Sequence, residues 1–592
     1  MKVFIRLVIA LAALVCSAAP AAADKAALEI VGDQSVRAAI EAALPEEAVP
    51  QTAFEARRQA RRAASVAANV LNAEGRFDAK IETGVELGET PRPRLRIDPG
   101  PVFQIAGVRL RFSAPEPNEA AVAAAESAAS LQPGAPAIPE DFYAAEARVV
   151  GALRDAGYPD AEIAARDVAG DRGAATVDVT FDVASGARAR FGDLIIPDNV
   201  KIRRRYVERL SPIEPGDLYS PEAIAKLSAR LAETRMFRTS AARLASPPAD
   251  TPEGVDETRD VDLVLVERKR NSIAVGGSFA TDEGPGAEIE YQRRNFTRRA
   301  DTLTVLATVA ELQRALSAEW RLPNQPRLRR SLIFDAGFSN ETTDAFDRNA
   351  VEAGGALEVR FRGGAVGLGA RYEFSKETAI SGDGDESEEE RTLHIASIAA
   401  TGRIDRTDDP LDSMDGWRAR TLIEPSAAFG DDSSRFVRAV AQGAAFLPLA
   451  DERRWVAAGR LRLGTVLGAS VLDVPADRRF FAGGGGSIRG FGFQEVGPRN
   501  ADGVPIGGRG LLETSAEIRW RATQSLGFVG FVDAGSVSGS NSPSLRSLRY
   551  GAGLGVRYAT PAGPIRVDVA VPIDRTEFDD AVQVYISIGQ AF

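Results

Sequence analysis

The spacing of hydrophobic and polar residues changes its period once along this chain, at about residue 269. Before that point, short alternating runs are separated by helical stretches. Leu95 and Ile97 close one alternating run just ahead of Gly100, and Val177, Val179, Phe181 and Val183 close another ahead of Gly186. Such alternation sends every second side chain to one face of a strand. Helical stretches run into a glycine-aromatic step, Leu71…Gly75-Arg76-Phe77 and Leu153…Gly157-Tyr158. Glycine is the usual left-handed stop of a helix, and the aromatic opens the next strand. A third unit carries Leu231…Arg235-Met236-Phe237 and a closing strand Val261/Leu263/Leu265. Arginine stands there in place of glycine, which predicts a differently built helix end. Pro139-Glu140 and Pro221-Glu222 are good helix starts. The pattern therefore predicts three α+β modules, over residues 24–103, 104–189 and 190–268.

From Asn271 onward the period is two. Ile273, Val275, Gly277 and Phe279 alternate with small or polar residues, and sixteen candidate strands follow to the terminus. The last of them alternate most clearly: Ile565, Val567, Val569 and Val571 face one way, Arg566, Asp568 and Ala570 the other. Charge on one face and β-branched residues on the other suit a polar lumen set in lipid, and an even strand count suits a closed barrel. Residues 269–592 are thus expected to form an all-β transmembrane barrel of 16 antiparallel strands. The first and last strands, which meet where a barrel closes, are Asn271–Ala280 and residues 582–592; they contain Gly277 and Gly589, and the second ends on Phe592. Glycine leaves little to pack, so their pairing is expected to be short and weak.

Composition agrees with this picture. Hydrophobic residues make up 44% of the 592, and mean hydropathy is −0.14. Those values exclude a helical membrane protein but suit alternating strands. The net charge of −11 gives no reason to expect nucleic acid as a partner. Residues 1–23 read as a secretory signal, with Lys2 and Arg6, an apolar run from Leu7 to Val15, and Ala21-Ala22-Ala23 before the expected cut. The sole cysteine, Cys16, lies within it, so the mature chain has no disulfide or thiol chemistry. His394 has no ligand partners in sequence, and no nucleophile motif is present, so neither a metal, a cofactor nor an enzymatic activity is expected. The acidic run 383–390 reads as a solvated loop rather than a calcium site, and Arg57, Arg58, Arg61 and Arg62 as a solvated helix face.

One stretch is unlike the rest. Residues 478–499 read R-R-F-F-A-G-G-G-G-S-I-R-G-F-G-F-Q-E-V-G-P-R. No Lys-Ser/Thr follows the glycines, which argues against a phosphate loop. An F-x-x-G-G run followed by I/V-R-G-F/Y resembles the sixth extracellular loop of the outer-membrane insertase and secretion superfamily with periplasmic POTRA modules. Phe531-Val532-Asp533-Ala534-Gly535 is similar to that family's F-x-D-x-G strand, and residues 405–417 to its D-x-R-x-x-P-x-D-P-x-x-G-W turn, with Ser413 in place of the second proline. The resemblance implies that the loop folds into the barrel, that Ile488, Arg489, Gly490 and Phe491 carry the motif, and that Arg489 meets Asp533, with Glu517 as a second acceptor. Three modules resemble the TamA branch, the outer-membrane subunit of the translocation and assembly module. That branch implies insertion or secretion of barrel proteins such as autotransporters through a lateral seam. It also implies unfolded outer-membrane clients, the lipid bilayer and a TamB-like inner-membrane-anchored protein as partners, and leaves lipid transport open. A passive channel with the modules as a binding scaffold, or a two-partner secretion transporter, are the alternative readings.

Overall fold

The computed structural model describes residues 23–592 except 89, 249–255, 282, 381–387, 450–453, 561–562 and 589–592. The expected signal cut, the acidic run 383–387, Gly589 and Phe592 lie outside or at the edge of the described residues.

Three small mixed sheets precede the barrel, each with the same order: the second strand, then the third, then the first. In each the first strand pairs parallel with the third, as Ala27–Ile30 does with Arg92–Asp98, Gln104–Phe112 with Thr176–Ala184, and Ala189–Ile195 with Glu257–Glu267. Parallel neighbours need a crossover, and the helices between them supply it. The Pro139–Asp155 helix shows why these segments fold as they do. Proline opens it, Glu140 and Asp141 occupy its first turn, and Arg154 its last, so that the charges complement the helix dipole. Phe142, Ala145, Val149 and Leu153 recur on one face and are buried against Val177, Val179, Phe181 and Val183 of the sheet. On the Ala53–Ala73 helix a stripe of Ala56, Ala60, Ala63, Ala67 and Leu71 is buried, while Arg57, Arg58 and Arg61 are exposed and Arg62 pairs with Glu47.

Arg235 takes the glycine's place with φ +57°, in the same left-handed region as Gly75 at +77° and Gly157 at +100°. The bonding of the end differs, as expected: the Arg76 and Tyr158 amides donate back to the Leu71 and Leu153 carbonyls, whereas the Met236 amide donates to the Thr234 hydroxyl at 3.3 Å. The arginine accepts the strain that glycine avoids.

The second compact unit contains the barrel. Among the described residues it closes from sixteen strands, each antiparallel to the next. They are numbered β1 (Asn271–Ala280), β2 (Gly284–Arg294), β3 (Thr302–Ala310), β4 (Gln313–Pro323), β5 (Arg330–Thr342), β6 (Phe346–Phe361), β7 (Gly364–Ile380), β8 (Glu388–Asp405), β9 (Gly416–Gly430), β10 (Ser434–Pro448), β11 (Trp455–Leu467), β12 (Gly510–Arg521), β13 (Leu526–Ser538), β14 (Arg549–Tyr558), β15 (Ile565–Pro572) and β16 (Gln583–Ile588). On β15, Arg566, Asp568 and Ala570 are buried inside, while Ile565, Val567, Val569 and Val571 are exposed on the outer face. Apolar-out alternation of this kind needs lipid around it. The wall is uneven: β6, β7 and β8 have 16, 17 and 18 residues, whereas β15 and β16 have 8 and 6.

Among the described residues β1 meets β16 only through Phe279↔Ile586 and Ala280↔Tyr585, next to which the Thr281 amide donates to the Val584 carbonyl at 3.2 Å. Gly277, expected at this seam, instead registers with Ala287 of β2 and has no described partner on β16.

Candidate functional site

The long connection between β11 and β12 turns into the barrel. Its apolar residues Val474, Phe480, Ala482, Ile488, Phe491 and Val496 join a buried cluster with wall residues that include Leu393, Phe436, Val466 and Leu511. The loop therefore has a core of its own, shared with the wall. It is also internally paired, since Phe480 bridges Gly508 and Ala482 bridges Val496.

Arg489 stands at the tip with 2% of its surface exposed. Its Nε donates to Asp533 Oδ2 at 2.7 Å and its Nη2 to Oδ1 at 2.9 Å, a two-toothed fork. The Arg489 backbone N–H donates to the same carboxylate at 3.0 Å. Nη1 reaches Asp568 at 3.3 Å, and the guanidinium carbon lies 3.4 Å from the centre of the Phe531 ring. Glu517 Oε1 is 2.8 Å from Nη2 but lacks hydrogen-bonding alignment, so its attraction there is coulombic. The other Glu517 oxygen accepts from Arg519 at 2.8 Å.

Strand register assembles this cluster. Pairing of β12 with β13 sets Ser515 opposite Asp533 and Glu517 opposite Phe531, and β14 sets Gly551 on the other side of Asp533. A Cβ at Gly551 would lie 1.9 Å from the Arg489 carbonyl oxygen, so the wall must be glycine where the loop touches it. Gly490 turns the chain with φ +103°, a conformation side chains disfavour. Arg557 and Arg566 share Asp568. Four arginines thus face three carboxylates, and the buried charges are nearly balanced.

Several groups in this site escaped the sequence reading. Ser515 and Asp568 both touch Arg489, and the Tyr585 hydroxyl donates to the Phe491 carbonyl and accepts from the Gly490 N–H, each at 3.1 Å. Tyr585 lies on β16 opposite Ala280, so the loop touches a strand of the seam. Arg460 of β11 donates to the carbonyls of Gly486 and Ser487 at 2.8 and 2.6 Å. A second anchor holds the start of the loop: Arg478 pairs with Glu373, Asp477 with Arg348 at 3.4 Å, and the Ala476 N–H donates to Glu377 at 3.2 Å. Inward charges on β6 and β7 were the available signal, but their partners are about a hundred residues away in sequence.

The turn between β8 and β9 is built around Asp408, whose Oδ1 accepts from the amides of Asp409, Met414 and Asp415 at 3.0, 2.9 and 3.1 Å. Burial opposes its ionisation, but these donors outweigh it and hold the carboxyl below its ordinary value. Ser413, the departure from the motif, donates to the Asp409 carbonyl at 2.6 Å.

A closed sixteen-strand barrel with an apolar exterior and an inward loop that fixes an arginine on its wall defines a class of outer-membrane proteins. The Omp85 superfamily domain matches residues 295–592, and the chain belongs to that superfamily. Among curated proteins it is similar to the outer membrane protein assembly factor BamA of Nitratidesulfovibrio vulgaris (strain Hildenborough), at 26% identity over 455 residues, 74% of this chain and 56% of that protein. BamA of Neorickettsia risticii (strain Illinois) is 24% identical over 442 residues, 70% of this chain and 57% of that protein. The chain spans little more than half the length of these relatives. Among solved structures, BamA from Haemophilus ducreyi lacking POTRA domains 1–3 aligns with a TM-score of 0.67 at 18% identity, covering 82% of this chain and all of that one. That likeness is one of fold. The protein is located in the bacterial outer membrane, with its N-terminal modules periplasmic.

Proposed function

We propose that this protein assembles other barrel proteins into the outer membrane by parting β1 from β16. The observation that carries this is the seam. Among the described residues two registered pairs join β1 and β16, while β15 and β16 share six and β7 and β8 seventeen. Residues 271–278 of β1 therefore present unpaired backbone groups on that side among the described residues, and an exposed edge is a template for an incoming strand. Short strands beside the seam also narrow the apolar belt there, which favours local thinning of the bilayer. The loop keeps the rest of the wall in shape while the seam opens, through the Arg489 cluster on β12 to β15.

Within this reading we assign the chain to the TamA branch, with autotransporters among its clients and a TamB-like inner-membrane-anchored protein as partner. The three modules that the sequence carries support that assignment, while the loop motif supports the superfamily as a whole. Depletion in the native host, followed by quantitation of outer-membrane proteins, tests the function. Other barrel proteins should fall, autotransporters among them. Unchanged levels, together with steady conductance of small solutes by the purified barrel, would favour a passive channel instead. Crosslinking in cells followed by identification of the captured protein tests the partner, and capture of soluble lipoproteins alone would favour a BamA-like assignment.

A further inference from the structure

Beneath the inward loop lies a cavity of about 1320 Å³ within the barrel unit, at the end where β1 begins. Nine arginines line it against three carboxylates, among the described residues. Arg235, Arg360 and Arg420 have no carboxylate within ion-pairing distance among those residues, and Arg420 donates only to the neutral Gln442 side chain, at 2.7 Å. The register adds to the imbalance. Arg403 of β8 lies directly opposite Arg420 of β9, and Gln442 of β10 separates Arg420 from Arg462 of β11. Arg403 pairs with Glu358 at 2.8 Å and Arg462 with Glu513 at 3.3 Å, which leaves Arg420 as the member of the row that faces like charge without a carboxylate among the described residues. In a cleft with low-dielectric walls such a row concentrates positive potential and attracts anions.

We infer that this chamber binds acidic polypeptide segments, held by the arginine row of β8 and β9 and by Arg360. The size of the space distinguishes a polymer from a small anion, since small-molecule sites run to roughly 300–1,000 Å³. Apolar residues such as Met236, Phe361 and Ile404 also line it, but the excess of arginines favours a chain carrying many carboxylates. Arginine clusters recognise acidic motifs through forked hydrogen bonds, and the arginines without carboxylates have donors to give. The inference rests on the reading that this barrel handles polypeptide, and names the kind of segment it takes.

The test uses the full-length protein in nanodiscs and a fluorescent Glu/Ser peptide, with a Lys/Ser peptide of equal length as control. The acidic peptide should bind, weaken steeply with added salt, and lose about tenfold in affinity in Arg360→Gln/Arg420→Gln. Arg420→Lys should retain most of the binding. Should the double variant fail to fold, competition on the unaltered protein decides: soluble polyglutamate should displace the peptide and polylysine should not. Equal binding of both peptides, or full affinity in a folded double variant, would overturn the inference. Displacement by millimolar inorganic phosphate would mark a small-anion site, and displacement by phosphatidylglycerol vesicles a lipid site; either result would also overturn it. Binding is read in vitro, apart from membrane-protein assembly. No acidic-peptide binding with normal assembly in cells would sink this inference alone, whereas lost assembly dependence with intact binding would sink the proposed function alone.

Discussion

Arg489 makes a fork with Asp533, faces Glu517 and Asp568, and is almost wholly buried, so its loss leaves carboxylates without their cation. Removing one member of such a buried pair typically costs ~3–5 kcal/mol. Arg489→Ala should therefore free the loop tip and raise its protease sensitivity, and Arg489→Lys should restore it only in part, since an ammonium cannot fork. Asp533→Ala should act similarly, and the double variant should be no worse than either single one, because contacting residues couple. Losses that add would mean the two side chains do not depend on each other. Gly551→Ala offers an uncharged check. Its methyl group would collide with the Arg489 carbonyl, so it should release the loop with every charge intact, and wild-type protection would count against this packing. Asp408→Asn should weaken the β8–β9 turn by about 1 kcal/mol at neutral pH. Asp408 has its carboxyl lowered on folding, so its stabilisation is full above the unfolded value of about 3.9 and fades as pH falls through the lower folded one. The two proteins should then unfold alike at low pH in a denaturant series, and a gap that persists there would refute the assignment.

At the scale of elements, alternation showed which residues of a strand face the lumen, but register decides which of them meet. Glu517 and Asp533 stood out because their motifs did. Asp568 was placed on the inward face of its strand, yet nothing in the sequence said that β14 and β15 bring it to Arg489. Tyr585 was legible only as a residue between the β-branched positions of β16. Gly277 was expected to weaken the seam through its own lack of packing; among the described residues β16 registers with β1 only at Phe279 and Ala280. Arg235 shows how far a residue-type rule reaches: the left-handed stop survives without glycine, but the amide after it turns to the Thr234 hydroxyl instead of the helix carbonyl. An account resting on a short seam predicts uneven protection. Amides of β1 should exchange faster than those of β7 and β8, each of which has a long ladder on both sides. Equal protection by hydrogen exchange with mass spectrometry would contradict it.

Over the whole molecule, three modules of one topology precede a barrel whose strands, among the described residues, are longest opposite the seam and shortest beside it. The repeats and the change of period made this division legible, because each module needs its own core and the barrel has none of the same kind. The central claim is that β1 and β16 separate during work, and a bond across them tests it most directly. Phe279→Cys and Ile586→Cys place two thiols on registered residues of the seam, and the sole native cysteine lies in the signal expected to be removed. With the disulfide formed, assembly of barrel clients in cells depleted of the native protein should stop, and a reductant should restore it. Assembly that continues unchanged with the bond demonstrably closed would contradict a lateral opening.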